Sequence, residues 1–353
     1  MTPLKDYKYN KLIRFWLLIG LIMLIGQVVL GGITRLTGSG LSITKWDIIT
    51  GVIPPFGKQQ WIEAFDLYKQ TPQFQKINSS FTLRNFKFIY FWEYVHRLWV
   101  RTLGIIFLIP FLVFLIRKKI DLYLIKRLAL VVLLTALTAS AGWIMVQSGL
   151  VDRPWVDAYK LALHFILAML TIAAMVKTIA DVYYFKSKNN RDQTKFVVIL
   201  LSITLIQLIL AALMSGMKAG LHYPTWPLMN GKLIPGVLLI SDNWTLHNLT
   251  NYDTNTFAPA IVQFLHRLFA YILLATAIFY YFKKRNNLYT RAIKWLTISY
   301  TLVIFQVFFG ILILLKIKTK IPLFYGVLHQ LTGLLFFISL LFLYFSLRKK
   351  KLN

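Results

Sequence analysis

Residues 26–55 read GQVVLGGITRLTGSGLSITKWDIITGVIPP, and residues 206–235 read IQLILAALMSGMKAGLHYPTWPLMNGKLIP. Laid over one another, they pair Gln27 with Gln207, Gly40 with Gly220, Leu41 with Leu221, Trp46 with Trp226, Gly51 with Gly231 and Pro55 with Pro235, each 180 residues apart. Identities recurring at a fixed period mark an internally duplicated chain. The tripeptide HRL at 96–98 then recurs at 266–268, a shift of 170, because the second of two long connectors is ten residues shorter.

The duplicated unit is built for hydrocarbon. The 353 residues are 58% hydrophobic, well above the usual soluble range. Eight runs approach the roughly 20 apolar residues a bilayer core requires, at about 12–30, 98–116, 126–146, 158–180, 196–215, 258–282, 293–315 and 323–347. The net charge of +28 would suggest nucleic acid in a soluble protein. Here 22 of the 40 basic residues lie at the two ends and in the connectors 117–127, 181–195 and 283–294, so they orient the chain in a membrane and nucleic acid is discounted. Both termini are thereby expected inside, and the connectors 31–95, 147–157 and 216–257 outside. Lys316, Lys318 and Lys320 run against this rule in the last outer loop. The basic N-terminus runs into a full-length apolar stretch with no small-residue cleavage site, so it reads as a retained first helix. The expected fold is all-α and polytopic: eight transmembrane helices in two tandem four-helix bundles, 1–190 and 191–353. An axis along the membrane normal relates the halves, and each should own an equivalent site.

With no cysteine, thiolate metal ligands, iron–sulfur clusters, disulfides and thiol nucleophiles are all excluded. Of six histidines, His164, His266 and His329 fall inside expected spans and His96 at the edge of one, each expected in the first third of a helix entering from the outer face. Pairing follows the repeat: His96 with His164, His266 with His329. Neutral imidazoles on facing helices can ligate haem iron from both sides, and a bundle interior suits a flat macrocycle. The alternatives are histidines hydrogen-bonded across helix interfaces, or imidazole-bound copper or zinc. Two ligands per half, without a third in both, favour haem.

Arg97 and Arg267 each follow a histidine and point toward the outer surface, where they could pair with haem propionates or simply snorkel. Met145, Met214 and Met217 are possible axial ligands, though Met more often packs. Glu93 breaks the symmetry, because its counterpart is Gln263. It shares a helix face with His96, which puts a carboxylate beside the first site as a proton-handling group; the bland alternative is an exposed i, i+4 pair with Arg97.

The stretches GGITRLTGSGLSITKWDIITGVIPP, EYVHRLWVRTLG, GWIMVQSGLVDRPWVDAYKLALH, AGLHYPTWPLMNGKLIP, QFLHRLFAY and GVLHQLTG resemble the haem A synthase family of cytochrome oxidase assembly, in order and spacing over residues 26–333. That resemblance implies a membrane oxidoreductase converting haem O to haem A by oxidising a porphyrin methyl to a formyl group. It implies haem b on His266 and His329, substrate haem O near His96 and His164, and a functional acid at Glu93. It further implies supply by haem O synthase, an electron acceptor and possible homo-oligomers. Lacking the outer-loop cysteines of some members, the chain looks like the cysteine-free proteobacterial and mitochondrial type, and a bacterial inner membrane is the expected location. Two other readings stay open: a bis-His di-haem cytochrome b for electron transfer, and a duplicated transporter with structural histidines. Glu93 opposite Gln263 favours the enzyme, since an electron conduit needs no carboxylate in one half only.

Overall fold

The structure, a computed structural model, describes residues 9–44, 53–151, 153–183 and 191–347. Eight long apolar helices stand at the expected runs: α1 (Lys11–Leu36), α4 (Leu83–Ile116), α5 (Leu122–Gln147), α6 (Ala158–Val182), α7 (Arg191–Gly216), α9 (Phe257–Lys284), α10 (Thr290–Lys316) and α11 (Leu323–Leu347). Among the described residues, three short α-helices lie in the long connectors: α2 (Gly57–Lys69), α3 (Pro72–Lys76) and α8 (Leu246–Thr250). The chain is thus an all-α, multi-pass membrane protein. Trp46 and Gly51 of the repeat lie outside the described residues.

Local chemistry sets the helix ends. Asn10, Asp121 and Asp157 accept from the first-turn amides of α1, α5 and α6, each cap contributing about 1 kcal/mol. Thr82 and Asn85 form a reciprocal capping box that starts α4 at Leu83, well before the expected 98. The added turns bury Phe86 and Ile89 against Phe65 and Tyr68 of α2, with Phe74 of α3 alongside. His96 consequently sits near the middle of α4, not in its first third, because the helix begins within the long connector 31–95. Farther along, Pro110 cannot donate to the Ile106 carbonyl. The Trp16 indole of α1 donates to it instead, at 3.1 Å.

The packing repeats across the halves. α1 lies on α4 as α7 lies on α9; α5 on α6 as α10 on α11; α1 on α6 as α7 on α11. The contacts between halves repeat too, α1 on α11 matching α7 on α6, while α6 meets α11. This is the pattern of a pseudo-two-fold with α1, α6, α7 and α11 inside. One apolar cluster joins the halves, running from Trp16, Leu17 and Leu21 through Phe107, Leu128 and Met175 to Leu334, Phe337 and Leu341. Lipid is as apolar as these side chains, so close packing rather than expulsion from water holds the helices together. Glycine permits the closest approach: a Cβ at Gly216 would stand 2.6 Å from the Ala158 Cα, where α7 crosses α6.

Candidate haem sites

In each half the histidines stand on helices that are not packed neighbours, α4 and α6 in the first, α9 and α11 in the second. They therefore meet across the bundle interior. The His266 and His329 ring centroids are 6.3 Å apart with planes at 67°. That separation leaves room for one metal ion held by a nitrogen of each ring at about 2.0–2.1 Å. His96 and His164 stand at the corresponding places on α4 and α6 in the first half.

The α6 and α11 histidines share one anchor. His164 Nδ1 donates to the Thr138 carbonyl at 2.8 Å, and His329 Nδ1 to the Gln306 carbonyl at 2.9 Å. Thr138 and Gln306 each lie four residues before a glycine, Gly142 and Gly310. A Cβ at Gly142 would come within 2.9 Å of His164 Cε1, and one at Gly310 within 3.1 Å of His329 Cε1. The glycines are notches that let each ring reach an otherwise helical carbonyl. With Nδ1 spent on the backbone, Nε2 keeps its lone pair, which is how metal-bound histidines are usually oriented. At His329 the Gln306 amide nitrogen meets that Nε2 at 3.2 Å, and Thr332 Oγ1 donates to Gln306 Oε1.

The α4 and α9 histidines have a different partner, again repeated. The Gln27 amide nitrogen lies 3.3 and 3.2 Å from the two ring nitrogens of His96. The Gln207 amide nitrogen lies 3.4 Å from His266 Nε2 and donates to the His266 carbonyl at 3.0 Å. Gln27 Oε1, Gln207 Oε1 and His266 Nδ1 are buried without a partner. Orphaned polar atoms clustered around facing imidazoles suit an interior that takes up a further group. The residues therefore fit haem: two nitrogen ligands per half, and among the described residues no set of three or more His, Asp or Glu that could hold a metal without a macrocycle. Sequence reasoning found the histidines and the repeated glutamines. It missed the glycine notches and their carbonyls, legible only once α5 and α10 are aligned on Gly142 and Gly310.

One residue beyond His96 and His266, the arginines tie down the two long connectors at equivalent points. Arg97 donates to the Ile43 carbonyl at 3.1 Å, and Arg267 to that of Tyr223, the residue 180 places on, at 2.7 Å. Glu93 is 3% exposed and accepts from Ser42 N and Oγ at 2.7 Å, Ile43 N at 2.9 Å and Arg97 at 2.7 Å. The Glu93–Arg97 pair, raised as the alternative reading, does form, but it is buried rather than exposed because the connector folds over it. Gln263 inverts the polarity, its amide donating to the Tyr223 carbonyl at 2.9 Å. Of the methionines, Met214 and Met217 pack with Ala158 and Tyr252 in a separate apolar cluster.

Residues 14–341 match the family model described as cytochrome oxidase assembly protein. The chain is 39% identical over 331 residues to a haem A synthase of Mesorhizobium japonicum, covering 92% of this chain and 88% of that one. It is 37% identical over 333 residues to the haem A synthase of Flavobacterium johnsoniae, covering 92% and 94%. With the haem A synthase of Pelagibacter ubique it shares 34% over 348 residues, 98% of each chain.

Proposed function

Because the chain belongs to the family of cytochrome oxidase assembly proteins, we propose that its two histidine pairs divide one oxidation between a substrate site and a cofactor site. Its activity is haem A synthesis, the oxidoreductase conversion of haem O to haem A. The reading assigns haem b to His266 and His329, and substrate haem O to His96 and His164. What carries it is one anchor built twice: Gly142 with the Thr138 carbonyl behind His164, and Gly310 with the Gln306 carbonyl behind His329.

When bound, the second-half haem supplies one-electron chemistry beside the substrate half. The protein's own residues position and enclose. Thr138 and Gln306 fix the tautomers of His164 and His329. Gln27 and Gln207 orient His96 and His266. Arg97 and Arg267 hold the outer connectors over the two sites and place positive charge at their mouths, where haem propionates would pair with it. None of Glu93's four hydrogen bonds goes to a histidine, so its proposed part is to fix Arg97 and the first connector one turn from His96. Only the first half spends a carboxylate on this, which suits the half that must open for substrate and product.

In this reading both termini face the cytoplasm of a bacterial inner membrane and the haem sites lie toward the outer face. Haem O arrives from haem O synthase, and electrons leave to a separate acceptor. The test is to extract and identify the haems of protein purified with and without a co-expressed haem O source, and to measure haem A in cells lacking their own synthase. Two haem b molecules and no haem A would replace this reading with a di-haem cytochrome.

A further inference from the structure

The two halves differ most where α4 should meet α5. In the second half α9 packs on α10 and the pair is cemented by Tyr281 stacked on Tyr300, ring centroids 4.3 Å apart. In the first half α4 and α5 are joined by the short connector 117–121, yet they are not a packed pair. Both facing surfaces have lost volume at matched positions. On α4, Gly104 stands where α9 has Leu274; a Cβ at Gly104 would meet nothing within 4 Å, whereas Leu274 packs into the second-half core. On α5, Ala139 stands where α10 has Val307, and Val132, which packs on the apolar cluster joining the halves, stands where α10 has Tyr300. Ala139 is exposed while Val307 is half-buried. This register is the one that superposes the Gly142 and Gly310 notches, so the thinned face is the α4-facing side of the helix that anchors His164. The packed contact that α9 and α10 make in the second half is thus missing between α4 and α5 in the first, the half that carries His96 and His164.

Resting on the assignment of haem O to the first half, we propose that the cleft between α4 and α5 receives the isoprenoid chain of haem O, the substituent that distinguishes it from haem b. A long apolar chain needs a groove open to hydrocarbon, not a closed bundle. Filling it with second-half residues should make the first site reject haem O as the second does. The cleft thus explains why two similar histidine pairs take different haems, and it lets substrate enter and product leave sideways through the membrane.

The absence of native cysteine makes a direct test clean. Ala139→Cys is labelled with a membrane-permeant maleimide in lipid nanodiscs, alone, with added haem O and with added haem b. The expected result is ready labelling that haem O slows at least tenfold and haem b leaves unchanged. Equal protection by both haems would show the macrocycle covering this face and overturn the proposal, as would protection by neither. In parallel, Gly104→Leu combined with Ala139→Val should reduce co-purified haem O at least tenfold while the second-half haem spectrum persists; undiminished haem O overturns the assignment. Haem A output of the unsubstituted protein in the same preparations separates the two failures. If haem A forms but the cleft is neither protected nor needed, the chain path is wrong; if haem A does not form, the functional reading itself falls.

Discussion

Arg35 donates to the main-chain carbonyl of Ser215, the residue that occupies its own place in the second repeat, and to the neighbouring Gly216 carbonyl at 3.3 Å. A residue that touches its own counterpart lies on the axis relating the halves. The guanidinium of α1 thus supplies the cation that the C-terminal end of α7 lacks, at the point where Gly216 crosses Ala158. Beside it the Tyr252 hydroxyl accepts from Ala158 N at 2.8 Å, so the second long connector caps the first half's α6.

Removing that axial cation should loosen both sites at once. Arg35→Met keeps the bulk and loses the charge-assisted bonds, at a cost of about 2–3 kcal/mol. Thermal unfolding in detergent, followed by haem absorbance, should show both haems released at a lower common temperature. Release from one half alone would place Arg35 off the shared axis energetically.

Filling one notch should affect one half. Gly310→Val pushes His329 off the Gln306 carbonyl and should remove the second-half haem or convert it to a high-spin form, while Gly142→Val should spare that haem and lower haem O retention. His266→Ala and His329→Ala set the reference spectra for a lost ligand. A low-spin spectrum unchanged in Gly310→Val would mean that the anchor does not position the ligand.

Glu93→Gln is expected to cut haem A output strongly while the second-half spectrum persists. The buried pair makes this a stability test as well. Removing the carboxylate leaves Arg97, its side chain 14% exposed, without its counter-charge, and breaking such a pair costs about 3–5 kcal/mol. The double variant Glu93→Gln, Arg97→Gln separates the roles. Restored folding without restored haem A assigns the carboxylate a part in turnover; restored output leaves it a clasp.

A fourth expectation concerns pH. Burial, and secondarily the charge of Arg35, hold Lys218 down from 10.5 to about 8. Between those values the unfolded chain binds more protons than the folded one, so the protein should gain stability as pH rises from 8 toward 10.5. Lys218→Met should flatten that slope. Parallel melting curves for parent and variant across this window would show Lys218 unburdened.

The sequence alone determined the eight spans, the duplication and the four histidines. Apolar length and a 180-residue repeat are one-dimensional signals, and imidazole inside a span costs enough to need a cause. The identities of Glu93 and Gln263 were equally plain, but their work was not. Whether Glu93 and Arg97 form an exposed helical pair or a buried clasp depends on Ser42 and Ile43, fifty residues away, folding over them. The early start of α4 is not legible in hydropathy because Phe86 and Ile89 are buried by α2 and α3 rather than by a bundle. The glycine notches behind His164 and His329, the contact of Arg35 with its own counterpart and the unpacked α4–α5 face each join residues of separate helices. Hydropathy fixes which segments enter the membrane, but in lipid every helix is apolar on all sides, so only side-chain volume and hydrogen bonds between helices decide which faces meet.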